Sequence, residues 1–69
     1  MKNFAQWKDE LEKKIEGNKQ GGLKSLLIID GEMTSDTRSR LLTHFAGYDI
    51  EINKCHRCNY KHDIIIEWN

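Results

Sequence analysis

Two cysteines and a histidine near the C-terminus are the strongest candidates for a metal or redox site in this chain of 69 residues. Cys55 and Cys58 have the Cys-x-x-Cys spacing, and His62 follows Cys58 by four residues. Thiolate sulfur and imidazole nitrogen are ligands that Zn²⁺ prefers in proteins. The spacing therefore predicts a zinc site formed by Cys55, Cys58 and His62, with a fourth ligand from His44, His56, water or another subunit.

The segment around these cysteines resembles the knuckle of zinc-ribbon and rubredoxin-type metal sites. In such a knuckle both sulfurs point at one metal, and the residue after the second cysteine, here Asn59, tolerates a positive φ. The likeness covers the seven residues from Lys54 to Tyr60, and a full ribbon has two knuckles where this chain has one. The simpler interpretation is a pair of reduced cysteines beside a polar turn.

Two other uses of the cysteine pair are less consistent with the sequence. A structural disulfide is unusual in a cytosolic protein. A thioredoxin-like pair opens a helix, whose N-terminus lowers the thiol pKa. Here the pair precedes a predicted strand, which argues against the thioredoxin-like use. Neither the disulfide nor the redox pair is therefore favoured.

The segment that contains the cysteines is also basic. Its residues that could contact a partner are Lys54, His56, Arg57, Tyr60 and Lys61. Cationic side chains contact phosphates, and an aromatic ring can stack on a base. A zinc-knuckle nucleic-acid-binding protein that uses the Cys55–Cys58 hairpin tip is therefore one hypothesis, although only three of these residues carry a permanent charge.

Length and composition argue against an enzyme. A chain of 69 residues, 38% of them hydrophobic, forms a single domain over residues 1–69. A domain of this size buries only about 60% of its unfolded surface, which leaves little interior for a cleft. The formal net charge is zero, so no overall field attracts nucleic acid or an anionic membrane.

No segment of the sequence suggests contact with a membrane. The longest apolar run, Leu26 to Ile29, is far shorter than a membrane span. No apolar segment of the kind found in signal peptides follows Met1 and Lys2. We therefore expect a cytoplasmic protein, with zinc as the one cofactor to consider.

The first predicted element is a helix over residues 4–16. Asn3 and Gln6 fit a capping box, in which each side chain bonds the backbone N–H of the other residue. Apolar residues recur at helical spacing at Phe4, Trp7, Leu11 and Ile15. Gly17 is predicted to end the helix because glycine adopts the left-handed conformation of a C-terminal stop.

Two further elements follow in the middle of the chain. Residues 23–30 are predicted to form a strand, whose run Leu26 to Ile29 indicates burial on both faces, and Asp30-Gly31 is expected to end it. Thr34 or Ser35 can cap a second helix, whose apolar residues are Leu41, Leu42 and Phe45, with Gly47 as its stop.

The C-terminal third of the chain predicts two strands. Residues 48–53 alternate between apolar and polar side chains, which is typical of a strand with one wet face. Residues 60–68 form the second strand, with Ile64 to Ile66 at its centre. The order of elements is therefore α-β-α-β-β.

Connection rules predict an α+β fold, a two-layer α/β sandwich. The short link between the second and third strands favours an antiparallel hairpin. The helix between the first and second strands favours a parallel crossover. With the third strand between them, the three-stranded mixed sheet has the order 1-3-2, and both helices lie on one face.

These observations favour a small non-enzymatic protein that acts by protein–protein contact, as a regulator, inhibitor or adaptor of the kind that phage and mobile-element genomes encode. The expected contact surfaces are the sheet face without helices, with Tyr48 and Trp68 as anchors, and the Cys55–Lys61 tip. Trp68 is either such an anchor or a lid on the core. An apolar strip at the sheet edge would also favour a homodimer through strand pairing.

Overall fold

The computed structural model describes residues 1–58 and 60–69, and these residues form the elements in the predicted order. The elements are α1 (Phe4–Gln20), β1 (Ser25–Glu32), α2 (Ser35–His44), β2 (Asp49–Lys54) and β3 (Lys61–Glu67). No helix in the described part of the chain is long and apolar enough to cross a membrane.

The sheet has the predicted order β1-β3-β2. Ile64 of β3 pairs with Ile28 of β1 on one side and with Ile52 of β2 on the other. Both pairings are antiparallel. The sheet is therefore antiparallel rather than mixed, because β3 separates the two strands that run in the same direction.

Helix α1 begins at the predicted capping box. The Gln6 N–H donates to the Asn3 side chain, and the Asn3 N–H donates to the Gln6 side chain, both at 2.9 Å. Trp7, Leu11 and Ile15 are buried and form the face that packs on the sheet. The predicted apolar face of α1 is thus confirmed, with Phe4 half-buried at its start.

The predicted stop at Gly17 is wrong, because α1 continues to Gln20. The left-handed residue is Gly22, with φ +81°. Its N–H donates to Lys19 O at 3.0 Å, and the next N–H, of Leu23, donates to Asn18 O at 2.8 Å. These two bonds form the Schellman arrangement that ends helices at glycine. The extra turn places the Asn18 side-chain amide 2.8 Å from Ser25 O, to which it donates.

Strand β1 does not end at Asp30-Gly31 but passes through a bulge to Glu32. Ile28 pairs with Ile64 and Gly31 pairs with His62, so two residues of β1 face Asp63 alone. Asp30 adopts φ +56°, and its N–H donates to the Asp63 side chain at 3.1 Å.

Helix α2 is capped by Thr34, whose hydroxyl oxygen accepts the Thr37 N–H at 3.1 Å. The helix ends at His44, before the predicted stop at Gly47, and its C-cap residue is Phe45. Leu41 and Phe45 are buried in the core, as predicted. The Arg38 guanidinium donates to Ile52 O at 3.0 Å and fastens α2 to β2.

Both helices cover the same face of the sheet, because their buried residues share one core with Leu26, Ile52, Ile64 and Ile66. The other face, which we call the open face, is uncovered. The predicted burial of Leu27 and Ile29 is therefore wrong, because these side chains point away from the helices and are 58% and 66% exposed. Alternation along a strand places every second residue on that side.

Candidate functional site

The structure brings the two predicted cysteine ligands together at the end of the sheet. Both are free thiols, and the Arg57 N–H donates to the Cys55 sulfur at 3.4 Å. That backbone hydrogen bond, together with a side-chain hydrogen bond from Cys58, lowers the pKa of the Cys55 thiol. Asn59, where the knuckle resemblance implies a positive φ, lies outside the described residues.

The third predicted ligand, His62, lies on the other side of the sheet. The Cys55 N–H donates to Lys61 O at 2.9 Å, which continues the ladder of β2 and β3 and puts Cys55 on the side of Lys61. His62, one residue further along, points to the helices and is only 1% exposed. Among the residues that the structure describes, no three side chains of His, Cys, Asp or Glu converge. The predicted set of Cys55, Cys58 and His62 is therefore not brought together, and the zinc site stays a prediction that needs ligands besides the two cysteines.

The ring of His62 bonds the backbone two residues before it. Its Nδ1 lies 3.0 Å from Tyr60 O, and a carbonyl oxygen only accepts, so Nδ1 carries the hydrogen. Its Nε2 is buried and has no hydrogen-bond partner among the described atoms. His62 therefore belongs to the core and is separated from the surface of the tip.

The predicted basic contact residues do lie together at this tip. Lys54, His56 and Arg57 are exposed, Tyr60 is 41% exposed, and Lys61 is half-buried. A shallow cavity of about 320 Å³ adjoins them, lined by Asp30, Asn53, Lys54, Cys55, His56, Lys61 and Asp63. The two aspartates place negative charge beside the lysines, which weakens the tip as a phosphate-binding surface.

The predicted anchors Tyr48 and Trp68 lie at the opposite end of the sheet and on the covered side. Their rings make an edge-to-face contact with centroids 6.1 Å apart, and both pack against the core. The Lys19 ammonium donates to the Tyr48 hydroxyl at 3.2 Å. Of the two interpretations of Trp68, the lid on the core is the one that matches its position. The placement of these anchors on the open face is wrong.

The open face carries apolar side chains that the sequence prediction assigned to the core. Leu27 lies directly opposite Ile65 in the β1–β3 register, and Ile29 follows on the same strand. Ile65 is half-buried between its neighbours, whereas Leu27 and Ile29 are more than half exposed. We call these three residues the apolar stripe. The sequence did contain a signal for this face. Ile64, Ile65 and Ile66 are consecutive, and because only every second residue of a strand can face one core, Ile65 had to point away from the core that holds the other two.

Carboxylates flank the apolar stripe on the β2 side. Asp49 pairs with Glu67, Glu51 pairs with Ile65, and Asn53 pairs with Asp63. The acids of these pairs are all exposed. Within residues 1–58 and 60–69, none of these four acids takes part in an ion pair. The open face thus combines exposed apolar groups with unpaired negative charge.

The arrangement of the acids costs stability instead of adding to it. Like charges directly opposite on neighbouring strands repel, and Asp49 and Glu67 form such a pair. Glu51 is a neighbour of both Asp49 and Glu67 on this face.

No protein-family model matches this chain, and no curated protein or solved structure matches it either.

Proposed function

We propose that this protein is a non-enzymatic binding module whose open face docks onto another protein, so that it acts as a regulator, inhibitor or adaptor. The observation that carries the proposal is the apolar stripe of Leu27, Ile29 and Ile65. A single exposed apolar side chain is ordinary, but a contiguous group rimmed by polar residues is typical of an interaction surface. Here the group lies on a sheet whose other face is fully packed.

The energetics of the stripe support docking. Leu27 and Ile29 keep 58% and 66% of their surface in water. Covering the remainder would contribute about 1–2 kcal/mol for each side chain. Both residues lie within β1, and Leu27 is paired directly with Ile65, so little backbone entropy is lost on binding. Two or three such residues are enough to form the centre of a small interface.

The small interior supports binding rather than catalysis. The buried residues form one apolar core, and the polar residues buried with it are Thr37 and His62. The Thr37 hydroxyl accepts a hydrogen bond from the hydroxyl of the N-cap residue Thr34 at 3.2 Å, and Nδ1 of His62 bonds Tyr60 O. Both polar side chains of the core thus bond neighbouring residues of the chain, which supports the surface as the part that contacts other molecules.

The proposal is tested by capture from a lysate of the native host with tagged protein. We expect the variant Leu27→Thr/Ile29→Thr to lose the proteins that the unchanged chain retains, because it removes the exposed apolar groups and places β-branched residues, which suit a strand, at both positions. The matched control is Leu23→Thr, since Leu23 is 57% exposed but lies outside the sheet. Equal retention by the double variant would contradict the proposal.

A zinc-knuckle nucleic-acid-binding protein is the second candidate. The hydrogen bond from the Arg57 N–H to the Cys55 sulfur favours it, because a backbone N–H to sulfur bond stabilises a thiolate. Two thiols supply half of a tetrahedral zinc site, so His56, water or a second copy of the chain would have to supply the rest. Stoichiometric zinc in protein purified without added metal, lost in Cys58→Ser, would support this candidate. Metal-free protein that folds normally would remove it.

A further inference from the structure

We infer that the partner of the open face is a cationic amphipathic protein segment, whose Lys or Arg side chains meet the carboxylates while its apolar side chains cover Leu27, Ile29 and Ile65. The inference rests on the proposed function and adds the chemistry of the partner. It is carried by the position of the acids around the stripe and by the finding that Asp49, Glu51 and Glu67 form no ion pair with the described residues.

Ile65 is the geometric centre of this surface. Leu27 lies across from it on β1 and Glu51 lies across from it on β2. Asp63 and Glu67 are its neighbours on the same face of β3. Cross-strand neighbours are about 5 Å apart, and successive residues on one face of a strand are about 7 Å apart. An apolar side chain placed on Ile65 would therefore have three carboxylates within the reach of adjacent lysines or arginines.

In the described part, six of the eleven cations have contacts away from the open face, whereas Lys54 and Lys61 lie beside Asp63 at the tip. In the described part, the ion pairs of Lys and Arg all lie in the helical layer; they are Lys2–Glu10, Lys8–Glu12, Lys13–Asp9 and Arg40–Asp36. Lys19 contacts Tyr48, and Arg38 bonds the backbone of β2. The repulsion between Asp49 and Glu67 is thus left for an external cation to relieve, which makes a positively charged partner favourable.

A second copy of the chain fits this surface poorly. Two open faces stacked on each other would bring carboxylates against carboxylates, which is repulsive. Strand pairing through the edge of β1 is also hindered. The Asn18 amide donates to Ser25 O and the Trp7 indole donates to Glu32 O at 2.9 Å, so side chains of α1 occupy a carbonyl at each end of the strand. The bulge at Asp30 interrupts the edge as well.

The inference is tested with synthetic peptides of defined charge and the ¹⁵N-labelled chain. The probe alternates Lys with Ile or Val, and its isomer carries Glu in place of every Lys. We expect the cationic peptide to shift amide resonances of β1 and β3 and to bind more weakly as salt is added. We expect the Glu isomer to leave the spectrum unchanged.

Charge-neutralising variants test whether the carboxylates of the open face bind the cationic peptide. Glu51→Gln/Glu67→Gln should weaken binding of the cationic peptide by about 3- to 10-fold, because each exposed ion pair contributes a small factor. Glu16→Gln, which neutralises an exposed acid on α1, should leave binding unchanged. Equal binding of both peptides, or an unchanged affinity in the double variant, would overturn the inference.

The two proposals fail in different ways. If the cationic peptide does not bind while Leu27→Thr/Ile29→Thr still loses the captured host protein, the partner class is wrong and docking through the open face stands. If the double variant retains the host protein and the peptide does not bind, both proposals are wrong. A dimer in sedimentation that buries the open face would also overturn the partner class.

Discussion

Leu27 and Ile65 stand directly opposite each other on the face of the sheet that neither helix covers. Their strand neighbours Leu26, Ile64 and Ile66 point the other way and are buried. The same two strands thus supply the core on one side and an exposed apolar surface on the other. Selection for folding alone would favour polar residues at the exposed positions, and this is the ground for our proposal that the open face docks onto another protein.

The two faces predict opposite results for substitutions in the same strands. Ile64→Ala should lower the free energy of unfolding by about 2–5 kcal/mol, because it leaves a cavity in a fully buried site. Leu27→Thr should change it by less than about 0.5 kcal/mol, since the side chain is 58% exposed. Urea unfolding measures both. A large loss in Leu27→Thr would show that the open face is needed for folding.

The carboxylates of the open face predict a stabilising substitution. Asp49→Asn removes the repulsion from Glu67 and should raise the free energy of unfolding by about 0.2–1 kcal/mol, with a smaller gain at high salt. Asp9→Asn is the matched control, because Asp9 forms an ion pair with Lys13 at 3.1 Å. That substitution should destabilise the protein slightly, and urea unfolding at low and high salt compares the two. Equal signs for both substitutions would contradict the assignment.

Gly31 predicts a steric effect in β1. A Cβ at this position would lie 2.8 Å from Cη2 of Trp7, whose ring packs over the backbone there. Gly31→Ala should therefore destabilise the protein by about 1–3 kcal/mol. Gly47→Ala is the control, because a Cβ at Gly47 meets nothing within 4 Å. Thermal unfolding of the two variants should differ clearly, and equal midpoints would show that Trp7 can move aside.

The Cys55 thiol predicts a shifted pH dependence of alkylation. The hydrogen bond from the Arg57 N–H stabilises the thiolate and lowers the pKa of Cys55. In Cys58→Ser, where Cys55 is the only thiol, the pH at half-maximal alkylation rate should be lower in folded than in urea-unfolded protein. A lower pKa gives more thiolate at a given pH, so the rate reaches its plateau earlier on raising pH. Identical profiles in the two states would show that the loop does not hold this hydrogen bond in solution.

The sequence predicted the elements and their order because those signals are local. The capping box at Asn3 and Gln6, and the period of Trp7, Leu11 and Ile15, each involve residues within a few positions of one another. The predicted end of α1 at Gly17 is wrong because Gly22, five residues later, can also adopt the left-handed conformation that ends a helix. Gly17 fits inside a helix, and only the pattern of bonds around Gly22 shows where the chain turns.

The surface was harder to predict because it depends on which face each strand turns to the helices. Four apolar residues in succession suggested two buried faces for β1, but with both helices on one side only Leu26 and Ile28 point to them. The same alternation separates Cys55 from His62 and puts Trp68 beneath the helices. Spacing along the chain predicts that Cys55 and His62 lie close together. The face of the sheet to which each side chain points depends on the strand register, which spacing alone does not give.

The most direct test of docking through the open face is methyl cross-saturation from a captured host partner to the labelled chain. We predict that the methyl signals of Leu27, Ile29 and Ile65 lose intensity while that of Leu23, equally exposed but outside the sheet, does not. Loss of intensity at Leu23 with the three stripe residues unaffected would contradict the account.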